Sequence, residues 1–467
     1  MFRAARQYVR YTSWPIVAAG LALIVIGVVA ISFSQKTTGQ AGQSAVHQGA
    51  YGGVGAIVFI LAVLVPYQKL GRFAYGLFTL TLIMLVAVLF TRPIKGATRW
   101  FDLWIVRIQP SEIAKLAYVL MLAWYLRYRD NYRRLRGLLI PFALAVAPMG
   151  LVLIEPDLGT ALLFLPTLYF VLFMAGAKLK HLLAILAMGV AVILLPVPRT
   201  VDVGAWQEQR ESFDAHSLGP VDLYSPSGIV SSADRSQIPL AYCRLGWRGG
   251  RPYDLQPLSL RLMETHQIGR IIGWLRQGDD EVAIAEGFQL RWSLTTLSAG
   301  RWRGPSKTGH DTLKMSVQQL PDERTDFIFS LIGGKWGLVG CLAVLGIYAV
   351  IFVFGIEIAA VTNEPFGRLL AVGVVALLFW QVFINVGMTI GLMPITGMTL
   401  PLISYGGSSL VTSCAALGLL VNVGQRRPIL LSRRPFEYAE KKKPTRLESR
   451  KAPGIEQAGK TEEEKQI

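Results

Sequence analysis

The chain has 467 residues, a formal net charge of +17, and 52% hydrophobic against only 16% charged residues. Soluble domains carry about 25% charged residues. With a mean hydropathy of +0.43, these values exclude an ordinary soluble domain, because the charge deficit falls in long uncharged runs near the ~20 residues a helix needs to cross the hydrocarbon. Helix is the expected form of each run, since lipid offers no partner to backbone N–H and C=O groups. The cations lie mostly in short segments between the runs. That suits anionic headgroups better than nucleic acid, for which no recognition motif is present.

The N-terminal residues Met1–Tyr11 are basic and lead into an apolar run, Trp14–Phe33. That run exceeds the ~7–15 residues of a signal-peptide core, so it reads as an uncleaved first helix. Ten spans follow in chain order: 14–34, 51–67, 73–90, 112–126, 138–154, 160–176, 182–197, 327–356, 368–391 and 408–423. Gly333, Gly334 and Lys335 predict a break early in the eighth. The fold class is therefore an all-α integral membrane protein of about ten transmembrane helices, with one long extracytoplasmic loop at 198–326. Residues 1–435 form the membrane domain, and the Lys- and Glu-rich segment 436–467 reads as a disordered cytoplasmic tail.

Orientation follows from the Lys and Arg of short loops. Cytoplasmic termini place Gln68–Arg72, Arg127–Arg136, Lys178–His181 and Gln425–Arg434 inside the cell. The segments 35–50, 91–111, 155–159, 198–326 and 392–407 then lie outside, at the inner (cytoplasmic) membrane. Within the long loop, Leu258–Gln277 has the apolar spacing of an amphipathic helix lying on the membrane or on other helices.

The three cysteines, Cys243, Cys341 and Cys414, imply no disulfide framework, and the five histidines show no close metal-ligand spacing. Polar groups at membrane depth default to functional candidates because they are costly there. Glu112 and Lys115 stand three apart at the head of the fourth helix and can pair; a helix-start acid with a snorkelling lysine is the alternative. Glu155-Pro156-Asp157 places two carboxylates between apolar runs, which a turn with a capping acid also explains. The loop 91–111 carries Arg92, Lys95, Arg99 and Arg107 on the face that normally avoids cations. These cations suit an anionic headgroup or pyrophosphate, with contact to ordinary phospholipid as the alternative. Before the eighth helix stand Asp322, Glu323, Arg324, Thr325 and Asp326. Thr325 or Asp326 has the chemistry of a helix cap, and Asp326 also that of a general base.

Four of these stretches together resemble the SEDS family (shape, elongation, division and sporulation), the RodA/FtsW group. They are Gly96–Asp102 with Ile108–Leu116, Pro156–Thr160 (PDLGT), Leu320–Pro321 with Thr325–Phe329, and Gly397–Ser408 (GMTLPLISYGGS). The wording of Val106–Glu112 leans toward the RodA branch. The resemblance implies a peptidoglycan glycosyltransferase that polymerises lipid II, releases undecaprenyl pyrophosphate and works with a class B penicillin-binding protein. It makes Asp326 the catalytic base and assigns substrate binding to Arg99, Arg107, Glu112, Lys115, Asp157, Arg324, Ser404 and Tyr405. No metal ligand set is visible, and a divalent cation (Mg or Mn) is the alternative source of positive charge for the leaving group. A precursor flippase and a non-catalytic scaffold are the rival functions. The chain departs from the family in having Arg324 for His, Glu155 for Gln, and Gly334 and Lys335 for two Glu.

Overall fold

A computed structural model describes residues 12–38, 43–91, 98–103, 106–129, 131–194, 196–200, 244–248, 251–257, 270–271, 273–275, 277, 287–306 and 309–426. Arg92, Lys95, Cys243, most of the 258–277 stretch and the C-terminal tail lie outside these residues. Thirteen α-helices are described: α1 Trp14–Thr38, α2 Gln43–Leu64, α3 Tyr67–Arg72, α4 Ala74–Val88, α5 Pro110–Leu126, α6 Leu139–Ile154, α7 Leu158–Ala175, α8 Leu179–Leu194, α9 Phe288–Ala299, α10 Gly309–Gln319, α11 Ile328–Val361, α12 Pro365–Thr389 and α13 Gly407–Gln425. Seven described helical segments are long and apolar enough to cross a membrane. The other three sequence-derived spans form the shorter helices α4, α5 and α8, of 15, 17 and 16 residues.

The bundle is organised around α12, which is buried along most of its length and packs on α5, α7 and α11. The last helix, α13, lies against α2, where small residues let backbones approach as expected in lipid. Two small sheets accompany the helices. β1 (Phe101–Leu103) pairs antiparallel with β2 (Val106–Ile108), and β3 (Pro196–Thr200) pairs with β5 (Arg251–Pro257), which also pairs with β4 (Arg244–Arg248).

Three sequence expectations need correction. Residues 43–50, read as a loop, are the first two turns of α2. The polar residues that hid this are used: Gln48 is buried and donates to the Ser404 carbonyl at 3.0 Å. The break in α11 falls at Gly337, not at 333–335; its φ of 67° is one that glycine tolerates best. There Leu338 and Val339 donate their N–H groups to the carbonyls of Arg301 and Trp302, at 2.9 and 3.1 Å. The loop after α9 thus satisfies donors that the break sets free. Gly333 and Gly334 serve packing instead, because their carbonyls lie against Gly300 and side chains of α9 and α10 close over them. The third correction concerns the cap. Phe327, not Thr325 or Asp326, occupies the N-cap of α11, and no side chain caps it.

Candidate active site at one end of the bundle

The motif residues gather where α5, α7, α11 and α13 begin. Pro110 at the first position of α5 fits a helix start, since its missing N–H would have no partner there. Two turns of α5 hold the Glu112–Lys115 ion pair, buried with 2.9 Å between charged atoms. Just ahead of it, Gln109 donates to Asp157 Oδ2 at 3.1 Å, and its backbone N–H donates to Ser408 Oγ at 3.1 Å. The Ser408 hydroxyl in turn donates to the Arg107 carbonyl at 2.9 Å. The head of α13 is thereby fastened to β2, and the exposed Arg107 side chain stands beside Tyr405.

Asp157 caps α7, as its position in the turn predicts. It accepts from the Thr160 N–H at 3.2 Å and the Thr160 hydroxyl at 2.8 Å. Gly159 is dictated by close approach, because a Cβ there would lie 2.7 Å from the Thr396 carbonyl oxygen. Arg99 donates to the carbonyls of Glu155 and Pro156. Its guanidinium therefore braces this turn.

Asp326 stands partly exposed at the entrance to α11. Its carboxylate faces Gly397, where a Cβ would meet Asp326 Oδ2 at 3.5 Å and an Arg270 guanidinium nitrogen at 3.6 Å. Gly397 has a φ of 73°, so the turn and the open face both call for glycine. Burial, then the Asp322 charge and more weakly that of Asp157, push the Asp326 carboxyl up to about 6 against the pull of the Thr325 hydroxyl and Arg270. A carboxylate tuned toward neutrality suits proton transfer.

The loop carrying Asp326 has three supports. Ser404 donates its hydroxyl to the Thr325 carbonyl and accepts from the Leu400 N–H. Asn385 donates to the Asp326 carbonyl at 2.9 Å and to that of Met398 at 2.5 Å. Arg324 donates to Ser34, Ser44 and Thr38, each at 3.2 Å, and pairs with Glu323 at 3.0 Å. The structure therefore gives Ser404 and Arg324 positioning contacts, while the half-buried Tyr405 faces Tyr51 with ring centroids 6.4 Å apart.

Arg270 and Asn385 were not singled out from sequence. Asn385 had a legible signal, being four residues from Gln381 inside an apolar run, where polar groups are expensive. Arg270 had none, since only the fold brings it to Asp326. Among the described residues no group of three or more His, Cys, Asp or Glu is placed to hold a metal ion.

Glu155 is fully buried, and both its carboxyl oxygens lack hydrogen-bond partners. Burial, reinforced by Asp157 and opposed by Arg99, pushes its carboxyl from 4.5 up to about 8. Between those values the native state keeps a proton that the unfolded state has lost, so stability falls as pH rises. Glu155→Gln should match wild type in thermal unfolding near pH 4.5 and exceed it increasingly toward pH 8. Parallel curves for the two proteins would mean that the carboxylate finds compensation.

The helical bundle and the site at its end define a multi-pass membrane protein with carboxylates and cations gathered beside one another where helices begin. The chain belongs to the FtsW/RodA/SpoVE family of cell cycle proteins, whose profile matches residues 11–212 and 255–428. It is 31% identical over 368 residues to the peptidoglycan glycosyltransferase RodA of Treponema pallidum (strain Nichols), covering 74% of this chain and 81% of that protein. It is 30% identical over 378 residues to the peptidoglycan glycosyltransferase MrdB of Escherichia coli (strain K12), covering 81% and 84%. A probable peptidoglycan glycosyltransferase FtsW of Marinobacter nauticus also matches, at 27% identity over 427 residues, covering 88% of this chain and 89% of that protein. The Val106–Glu112 wording therefore does not separate the branches. Among solved structures, a chain from a study of the structural coordination of polymerization and crosslinking by a peptidoglycan synthase complex superposes with a TM-score of 0.65 at 25% identity, covering 90% of this chain and 99% of that one. The rod shape determining protein RodA of Thermus thermophilus superposes with a TM-score of 0.56 at 25% identity, covering 89% and 97%.

Proposed function

We propose that this protein is a peptidoglycan glycosyltransferase that polymerises lipid II into glycan strands. The observation that carries the mechanism is the Asp326 carboxylate, partly open, tuned toward neutrality and set beside Arg270. The acceptor sugar hydroxyl loses its proton to the Asp326 carboxylate and its oxygen bonds to the anomeric carbon of the donor. The bond from that carbon to the pyrophosphate oxygen breaks, and undecaprenyl pyrophosphate leaves with the electron pair. Attack opposite the leaving group inverts the anomeric centre. A hydroxyl is a weak nucleophile at neutral pH, and a positioned base contributes ~10²–10⁴-fold. Charge developing on the leaving group calls for fixed cations. Arg107 and Arg270 have the chemistry, and a divalent cation (Mg or Mn) would add to it; EDTA in the assay reads that contribution.

The protein sits in the cytoplasmic membrane with both termini in the cytoplasm, so that Asp326 faces the outer side where the lipid-linked donor is displayed. The charge of the short loops supports this orientation. A class B penicillin-binding protein is the proposed partner, a reading supported by the resemblance to a chain of a synthase complex. The test is purified protein with labelled lipid II in vesicles, with and without that partner. Glycan chains are expected, more of them with the partner. Label that only changes leaflet would favour a flippase, and neither outcome under any condition would favour a scaffold.

A further inference from the structure

Lys335 on α11 and Lys36 at the end of α1 act on one another, and Arg303 edges the adjoining groove. Lys335 on α11 stands over two rings, 4.7 Å from the centroid of Phe33 on α1 and 4.5 Å from that of Trp336. The exposed Lys36, at the end of α1, acts electrostatically on Lys335. Arg301 and Arg303 project from the loop that caps the break at Gly337, and both are exposed. The Lys36 and Lys335 charges repel unless an anion lies between them.

Below them runs an open groove of about 380 Å³, with Ile26 of α1 on one wall, Trp336, Val339, Gly340 and Ala343 of α11 on the other, and Arg303 at its edge. Ile26 and Phe33 are seven residues apart and so share one face of α1. On α11, Val339, Gly340 and Ala343 share one face beyond the Gly337 break, and Trp336 packs against Gly340 across it. The apolar walls therefore continue up to the cations. Val339 is exposed, as are its neighbours Leu338 and Leu342. The surface thus belongs to the lipid-facing side of the bundle.

We propose that this groove is a binding site for an anionic phospholipid of the leaflet on the Asp326 side, with an acyl chain between α1 and α11 and the phosphate held by Arg303 and Lys335. Charge complementarity selects this occupant over a zwitterionic lipid, whose ammonium would add to the excess of cations. Arg offers a planar fork to phosphate oxygens and Lys a compact charge, so together they fit a single phosphodiester. Lys335 stands at one of the two positions where the resemblance expects Glu. The site does not depend on the polymerase reading.

The test uses the full-length protein in nanodiscs of phosphatidylcholine with graded phosphatidylglycerol. Bound lipid is read by native mass spectrometry after transfer to detergent. Wild type should retain one phosphatidylglycerol saturably. Removing two cations from a membrane-facing site should cost about tenfold or more in that preference, so Arg303→Glu with Lys335→Glu should retain far less. Ala343→Phe, which fills the groove and leaves all charges in place, should also lose the lipid, and it keeps the test valid if the charge reversal prevents folding. Equal retention by wild type and either folded variant overturns the proposal. So does a charge-reversed protein that keeps its lipid but loses a co-purifying membrane protein, which would make the groove a protein interface.

Discussion

Asp326→Asn should cut glycan polymerisation by ~10²-fold or more while leaving the protein at least as stable as wild type at pH 7.5. The stability half follows from linkage. The Asp326 carboxyl is raised from 3.8 to about 6 in the folded state, burial being the first cause. Native protein therefore holds a proton in a range where the unfolded chain has released it. The resulting loss of stability grows as pH rises from 3.8 to about 6 and stays in full above that. Asn carries no charge to bury and escapes the loss. Activity should fall by ~10²-fold or more, because Asn cannot accept the proton. Greater stability joined to lost function separates a working carboxylate from a structural one. The wild-type rate should climb with pH through a midpoint near 6. Because Arg270 lowers that value and Asp322 raises it, Arg270→Gln should move the rise to higher pH and Asp322→Asn to lower pH. Near wild-type polymerisation by Asp326→Asn would remove the base from the mechanism.

The second large effect concerns Glu112 and Lys115. Their charges are 2.9 Å apart and almost wholly shielded from solvent. Lys115→Met strands a buried carboxylate, a change that costs about 3–5 kcal/mol. Adding Glu112→Leu removes that stranded charge, and replacing both members of a buried pair with apolar residues is often neutral. The single variant should therefore unfold at markedly lower temperature, and the double variant should recover. Polymerisation should not recover with it, since the double variant lacks both charges that the family resemblance assigns to substrate binding. Recovery of both stability and activity would leave the pair a purely architectural role.

Much of the fold was legible because lipid imposes one simple demand, that long apolar runs become helices. The spans beginning at Trp14, Leu158, Pro365 and Gly407 fall within a few residues of their expected places. The misses share a cause. Residues 43–50 look like a polar loop, yet their polarity is spent inside the protein, as Gln48 shows by bonding to the backbone of Ser404, 356 residues away. Gly333-Gly334 looks like a hinge but accommodates a neighbouring helix, while Gly337 bends with help from a distant loop. At the site, local chemistry revealed the Asp157 cap and the Glu112–Lys115 pair, because both operate over three residues. Arg324 and Ser404 belong to the same motifs, but their contacts join segments far apart in sequence. Residue type alone cannot distinguish a hydroxyl offered to a sugar from one spent on a carbonyl.

The three supports beneath Asp326 come from the α1–α2 corner, from α12 at Asn385, and from Ser404 just ahead of α13. A ribosome delivers these pieces in order, and domains form N-terminal first during synthesis. Asp326 is thus made well before two of its three anchors exist. A nascent chain halted before residue 385 holds the carboxylate by the α1–α2 corner alone. Translation through Ser404 completes the fastening, so termination before that residue leaves an inserted chain whose Asp326 loop is short of at least one anchor.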